Sequence, residues 1–474
     1  MRRVTLLLAL LAAGTPATDA SQERPNLLVI VTDDQRGDTL GCAGHPFLQT
    51  PSIDGLAADG VRFENAFVTT PICAASRASL LTGTWERRHG YTFGTPPLAD
   101  EEIAASYPVL LRESGYRTGF IGKFGVRTNA DATDGMFDFH RSYGQPFVKT
   151  MPDGTARHLT DITGDDALDF LDGCEAGKPF CLTLSFNAPH AEDATRSNPY
   201  PHSPPEAELY VDDVLPPPLV ESDFWEGLPS FFADSLHRVR WFWRWDTPEK
   251  YDRFLRDYYR MVTGIDRVIG DVLAELRRRE LADNTVVLFI ADNGYYLGSR
   301  GFAGKWSHYR ESLWVPFVVH DPRAPSEARG RVVEELVLNV DLAPTILELA
   351  GLTPPPSVQG ASLAGTVQGE PAPDRTDFLF EHLFDHAQIP RMEGVRGERY
   401  VYARYIDHLP EGEFLHDLVT DPLERENLAR DPAHAERLEA LRRRCDALIA
   451  LRGAPEGSRS ASDPTPSKNE GAER

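Results

Sequence analysis

The chain has 474 residues, 41% hydrophobic and 26% charged, a globular composition that excludes a largely disordered or a collagenous protein. Lys+Arg total 49 against 72 Asp+Glu, a formal charge of −23; this argues against wrapping nucleic acid, which needs a basic face, and against an anionic membrane surface. An anionic substrate must therefore be drawn in by a local cluster of cations working against the overall field.

Residues 1–20 read as a signal peptide. Arg2 and Arg3 precede an apolar run over residues 4–13, and small residues over 14–20 suit cleavage. The run is too short to span a membrane and no second one follows. The expectation is an exported chain, periplasmic or secreted, with no membrane span after cleavage. Such a compartment permits disulfides. Five cysteines, Cys42, Cys73, Cys174, Cys181 and Cys445, leave at least one unpaired. Cys174 and Cys181 flank a short loop containing Gly177 and Pro179 and are candidates for a pair.

Short, mostly unalternated apolar runs at residues 27–31, 118–121, 180–186, 286–291 and 315–320 have the texture of parallel strands covered on both faces. Helical periodicity lies between them. The clearest stretch is 248–279, where Tyr251, Leu255, Tyr258, Val262, Ile265, Ile269, Val272 and Leu276 form one stripe. Thr247 is its cap and Pro248 opens its first turn. Shorter helices fit 165–172 and 341–350, the latter closed by Gly351. From about Asp377 the texture changes. Aromatic alternation at 400–406, a short strand at 414–418 and a helix at 433–451 suggest a small antiparallel sheet with a closing helix. The fold class expected is α/β: a large mostly parallel sheet flanked by helices, with a smaller C-terminal antiparallel sheet subdomain. The boundaries expected are 21–375 for the main domain and 376–452 for the subdomain. Residues 453–474, rich in Ser, Pro, Gly and Glu, form a disordered tail in this reading.

Ligands of open α/β sheets bind beyond the carboxyl ends of the strands, and those ends carry chemistry here. Run 27–31 leads into Thr32, Asp33 and Asp34. Run 286–291 leads into Asp292, Asn293 and Gly294. Run 180–186 leads to Asn187 and His190, and run 118–121 to Gly122 and Lys123. Three carboxylates and an amide make an all-oxygen donor set of the kind Ca2+ or Mg2+ prefers. The stretch TPICAASRASLLTG, residues 70–83, predicts a helix starting near Cys73. Arg77, four residues on, then shares a face with it and adds positive charge to a helix start that already attracts anions.

PICAASRASLLTG resembles the formylglycine-dependent sulfatases of the alkaline phosphatase-like superfamily, whose signature is Cys-x-Pro/Ala-x-Arg; Cys73, Ala75 and Arg77 match it. RPNLLVIVTDDQ, DNTVVLFIADNG, GKWSHYRESLWVPFVV and EFLHDLVTDPLERENLA follow the family's order over about residues 24–429. The resemblance implies that a formylglycine-generating enzyme converts Cys73 to an aldehyde that hydrates to a gem-diol. One hydroxyl attacks sulfur and displaces the alcohol. The other expels sulfate and regenerates the aldehyde, which is covalent catalysis without water attacking sulfur. It further implies that Asp33, Asp34, Asp292, Asn293 and residue 73 hold one Ca2+, and that Arg77 orients the diol. Lys123 and Lys305 would bind sulfate oxygens, and His190 would protonate the departing alcohol. The substrate implied is a sulfated small molecule or glycan.

There is one departure from the pattern. The family's first lysine belongs to a Lys-x-His segment whose histidine helps return the aldehyde, and here the segment is Lys123-Phe124-Gly125. Either another histidine fills the gap, with His308 and His89 as the candidates, or the elimination of sulfate is slower. The proline- and aromatic-rich segment 191–245 carries Trp225, Trp241, Trp243 and Trp245, interleaved with Arg238, Arg240 and Arg244. It suits either a sugar-stacking rim or a hydrophobic flap packed on the sheet. Two rival readings stand beside hydrolysis of sulfate esters. One is a phosphatase or phosphodiesterase on the same scaffold. The other is a secreted, calcium-stabilised glycan-binding protein that has lost turnover.

Overall fold

A computed structural model of the chain describes residues 24–130 and 132–453. The expected signal peptide and the tail from residue 454 lie outside the described residues. The main sheet has eight strands: β1 (Asn26–Thr32), β2 (Val61–Phe63), β3 (Arg117–Gly122), β4 (Phe139–Ser142), β5 (Phe180–Ser185), β6 (Thr285–Ala291), β7 (Phe317–His320) and β8 (Arg331–Val333). They lie in the order β8-β2-β7-β6-β1-β5-β3-β4.

Every residue of β1 is buried. Leu27, Val29 and Val31 enter the core on one side of the sheet, and Leu28 and Ile30 the core on the other. That two-sided burial is why the strand is an unbroken apolar run rather than an alternating one. On the second side lies the 31-residue helix Pro248–Arg278, whose buried stripe includes Leu255, Tyr258, Val262, Ile265, Ile269, Val272 and Leu276. Each such side chain contributes about 1.5–3 kcal/mol on burial. Thr247 caps it by accepting from the Lys250 N–H at 3.2 Å.

Three expectations need correction. Run 315–320 is a strand but not a parallel one: β7 pairs antiparallel with both β6 and β2. The β6–β7 connection holds only one-turn helical pieces, Ser299–Gly301 and Arg310–Leu313, and a parallel return requires a longer crossover. The helix expected at 165–172 begins earlier, at Leu159. His158 caps it through ring Nδ1, which accepts from the Thr160 N–H at 3.1 Å, and histidine lies outside the usual capping residues. Cys174 and Cys181 are unpaired, as are the other three cysteines. The Cys174 sulfur takes a 3.2 Å contact from Arg117 Nη1, while Cys181 is 2% exposed within β5.

The C-terminal sheet is antiparallel with four strands, β9 (Asp377–His382), β10 (Met392–Gly397), β11 (Tyr400–Tyr405) and β12 (Glu413–Asp417), in sequential order. It is closed by the helix Ala435–Arg452. Its inner residues Phe378, Phe380, Val395 and Tyr402 join the same apolar core as Leu27 and Val286. Among the described residues no helix is long and apolar enough to cross a membrane.

Candidate active site

The parallel centre of the sheet delivers its carboxylates to one place. Thr32 of β1 is in register with Ala291 of β6, so Asp33–Asp34 and Asp292–Asn293 leave adjacent strand ends together. Asp34 has φ +60°, a left-handed conformation that a non-glycine residue adopts at a cost. Neighbouring elements hold it there: its N–H donates to Asp292 Oδ1 at 3.2 Å, and the Tyr258 hydroxyl donates to its carbonyl at 2.8 Å. On the other side of β1, Gly122 ends β3 with φ +105°, and a Cβ there would lie 1.9 Å from the Ser185 carbonyl oxygen. Only glycine lets β3 and β5 close at this point, which sets Lys123 beside β1.

Cys73 is the first residue of the helix Cys73–Thr82, all of which is buried. One turn on, Arg77 reaches four groups. Nε donates to Asp292 Oδ2 at 2.8 Å, Nη1 donates to the Lys123 carbonyl and to Ser185 Oγ at 2.6 Å each, and Nη2 lies 3.7 Å from Asp33 Oδ2. Lys123 Nζ pairs with Asp33 Oδ2 and Lys305 Nζ with Asp34 Oδ1. His190 sits with Nε2 3.6 Å from Asp34 Oδ2, and its Nδ1 donates to the Ala191 carbonyl at 2.6 Å. That bond assigns the Nδ1 proton and leaves Nε2 facing the site.

These charges set one another. Burial alone would raise Asp33, but Lys123 and then His190, Arg77 and Lys305 hold it far below the carboxylate range. Burial and the adjacent Asp33 push Asp292 up. Burial opposes the charge on Lys305 and Arg77, yet Asp34 raises the lysine and Asp292 with Asp33 raise the arginine. His190 is lowered, chiefly by burial.

The donor set fits a hard divalent cation. Asp33 Oδ1 and Asn293 Oδ1 are buried acceptors without a hydrogen-bond partner, and such oxygens are costly unless something positive meets them. Ligand atoms of Asp33, Asp34 and His190 lie within 4.8 Å of one another. Three aspartates and one amide favour Ca2+ or Mg2+ over softer metals.

Neither histidine expected to stand in at position 125 does so. His89 is buried beside Ser79 Oγ at 3.2 Å and accepts from the Tyr91 N–H at 3.1 Å, and burial pushes it down to about 3. His308 lies against the C-terminal sheet, 2.9 Å from the Tyr405 hydroxyl and 3.2 Å from His416. The space at residue 125 is taken by Arg77: Gly125 has φ +70°, and a Cβ there would sit 2.7 Å from Arg77 Cδ. The tryptophans of segment 191–245 differ in how they pack. Trp245 is buried against Tyr200 and Tyr251, and Trp225 lies under Arg238, 4.2 Å from its ring centre. Trp243 is half-buried, with the exposed Arg196 4.0 Å above it. Ser185, Tyr258, Asp193 and Trp306 also shape the site; the sequence shows Tyr258 only as part of an apolar stripe and Trp306 only as the neighbour of Lys305, and it marks neither Ser185 nor Asp193 for a role.

Residues 25–352 match the sulfatase family, and residues 298–450 match the C-terminal region of N-sulphoglucosamine sulphohydrolase. An N-acetylglucosamine-6-O-sulfatase of Bacteroides thetaiotaomicron is 25% identical over 92% of this chain and 88% of its own. The solved structure of a protein bound to its substrate D-glucosamine-2-N,6-O-disulfate has 23% identity and a TM-score of 0.75, over 90% of this chain and 98% of the other. A phosphonate monoester hydrolase of Agrobacterium radiobacter has 22% identity and a TM-score of 0.74, over 90% and 96% of the two chains.

Proposed function

Because the chain belongs to the sulfatase family, we propose that it hydrolyses a sulfate ester of a carbohydrate with a nucleophile made from Cys73. It is a sulfuric ester hydrolase; the carbohydrate, the cofactors and the residue roles are the proposal. One observation carries it: Arg77, Lys123 and Lys305 converge with three aspartates at the helix start that bears Cys73. A chain of formal charge −23 concentrates cations there for an anion.

In this reading Asp33, Asp34, Asp292 and Asn293, with residue 73, would hold Ca2+. When bound, it would supply positive charge that lowers the nucleophile's pKa and neutralises sulfate. Formylglycine, made from Cys73 by a maturation enzyme, would supply a hydroxyl nucleophile. Arg77, anchored to Asp292 and Ser185, orients residue 73 from one turn along the helix. Lys123 and Lys305 hold sulfate oxygens, whose charge changes in the transition state. His190, with Nδ1 committed to the Ala191 carbonyl, takes up a proton on Nε2 and passes it to the departing alcohol. Residues 21–375 form the catalytic domain, 376–452 its subdomain, and the leader over residues 1–20 directs export. The relative named as an N-acetylglucosamine-6-O-sulfatase supports an amino-sugar sulfate as substrate.

The test is the mass of the Cys73 peptide together with turnover. The peptide should be lighter than its unmodified form by the thiol-to-aldehyde exchange, and Cys73→Ala should abolish sulfate release. An unmodified Cys73 in an active preparation refutes the nucleophile. The fold shared with a phosphonate monoester hydrolase makes matched sulfate, phosphate and phosphonate esters the necessary comparison. Faster turnover of a phosphorus ester would favour that chemistry instead.

A further inference from the structure

Beside the catalytic groups lies a second cationic cluster that none of the steps above uses. The helix Leu236–Arg244 carries Arg240 and Arg244 on one face, and both close on Asp193. Arg240 Nη2 is 2.8 Å from Asp193 Oδ2, and Arg244 Nη2 meets Oδ1. Two guanidinium groups share one carboxylate, which leaves one positive charge. Arg244 is nearly enclosed and also reaches the Tyr295 hydroxyl at 3.3 Å. Arg240 keeps 18% of its side chain exposed, while its Nε–H is buried and without an acceptor.

The cluster is joined to the reaction centre by contact. Arg240 lies over Trp306, 5.1 Å from the ring centre. Trp306 follows Lys305 in sequence and packs against Ile72 and Ala75, on either side of Cys73 along the chain. It has φ +81°, a strained setting for a bulky residue of the kind found where a ligand is gripped. The fields of His190 and Lys305 act on Asp193, and that of Asp34 acts on Arg240. A salt-bridge cluster that only pinned the helix would not need an arginine that keeps part of its side chain exposed and one N–H without an acceptor.

We infer that Arg240 is a specificity residue, held by Asp193 and Trp306 to receive a second anionic group, sulfate or carboxylate, on the sugar that carries the scissile sulfate. This rests on the reading of the chain as a carbohydrate sulfatase and adds that its substrate is doubly anionic. Guanidinium suits the task because it offers several donors in one plane to a sulfate or carboxylate.

Two matched pairs test it. N-acetylglucosamine 6-O-sulfate against glucosamine 2-N,6-O-disulfate probes a second sulfate. A hexuronate 2-O-sulfate against its methyl ester probes a carboxylate. The wild type should favour the doubly anionic member of one pair by roughly 10- to 100-fold in kcat/KM, the worth of a charge-assisted hydrogen bond. Arg240→Gln should bring that ratio close to one, and Arg240→Lys should retain part of it. Because the readout is a ratio, a general loss of activity or of folded protein cancels. A wild-type ratio near one in both pairs, or an undiminished ratio in Arg240→Gln, overturns the inference. If no sugar is turned over, the same ratios taken from calorimetric affinities decide it, so failure of the hydrolytic reading is told apart from failure of this one.

Discussion

Replacing Gly125 with alanine tests how Arg77 is held. The new Cβ would meet Arg77 Cδ at 2.7 Å, and residue 125 sits at φ +70°. Forcing a side chain into that conformation costs roughly 1–2 kcal/mol. The backbone at 125 is tied as well, since its carbonyl accepts from the Tyr91 hydroxyl at 3.4 Å. Arg77 must therefore give way, and its 2.8 Å bond to Asp292 and its 2.6 Å bond to Ser185 are what it loses. A charge-assisted hydrogen bond contributes about 1.5–3 kcal/mol. At 1.36 kcal/mol per tenfold, kcat should fall by roughly 10- to 100-fold. Steady-state hydrolysis of 4-nitrophenyl sulfate and of a sugar sulfate, with Tm measured in parallel, reads both effects. Gly125→His, which restores the residue usual in the family, should fare no better, because the larger ring needs the same space. Wild-type kcat in Gly125→Ala, or a gain in Gly125→His, refutes the argument that Arg77 depends on this glycine.

His190→Ala should cost at least about 100-fold on sugar sulfates and far less on 4-nitrophenyl sulfate, whose leaving group departs without a proton; equal losses on both would remove the acid role. Dialysis against a calcium chelator should lower Tm, and added Ca2+ should restore it in a concentration-dependent way, because a ligand of the native state stabilises by mass action; an indifferent Tm counts against the cation site. Glu86 is 1% exposed, and burial and then Glu381 raise it well above its usual 4.5. The folded state binds that proton more tightly than the unfolded one, so its stability contribution is complete below about pH 4.5 and is lost as pH rises toward the folded value, at up to about 1.36 kcal/mol per pH unit. Glu86→Gln should therefore raise Tm at pH 8 and leave it nearly unchanged at pH 4.5; a gain that does not vary with pH refutes this.

Much of the site was readable because its parts are local. An apolar run that exits into a polar, acidic pair is a buried strand with a polar end: β1 leads into Asp33 and Asp34, and β6 into Asp292 and Asn293. A cysteine and an arginine four apart at a helix start share a face whatever surrounds them. Other features were unreadable because they join distant residues. The bond from Arg77 to Asp292 spans 215 positions, and Asp193 receives Arg240 and Arg244 from a helix far along the chain. The antiparallel sense of β7 depends on a return without a crossover, and Cys174 meets Arg117, 57 positions away, rather than Cys181.

The amino-acid order alone determined which faces are apolar, where strands end in carboxylates, and which short segment sets a cysteine and an arginine on one helix face, since each follows from neighbours within a few residues. Only the folded chain decided that Arg77 fills the space at Gly125, that two lysines close on two aspartates, and that Arg240 lies over Trp306. Those outcomes depend on close packing between elements that share no sequence neighbourhood, and a pattern along the chain carries no record of it.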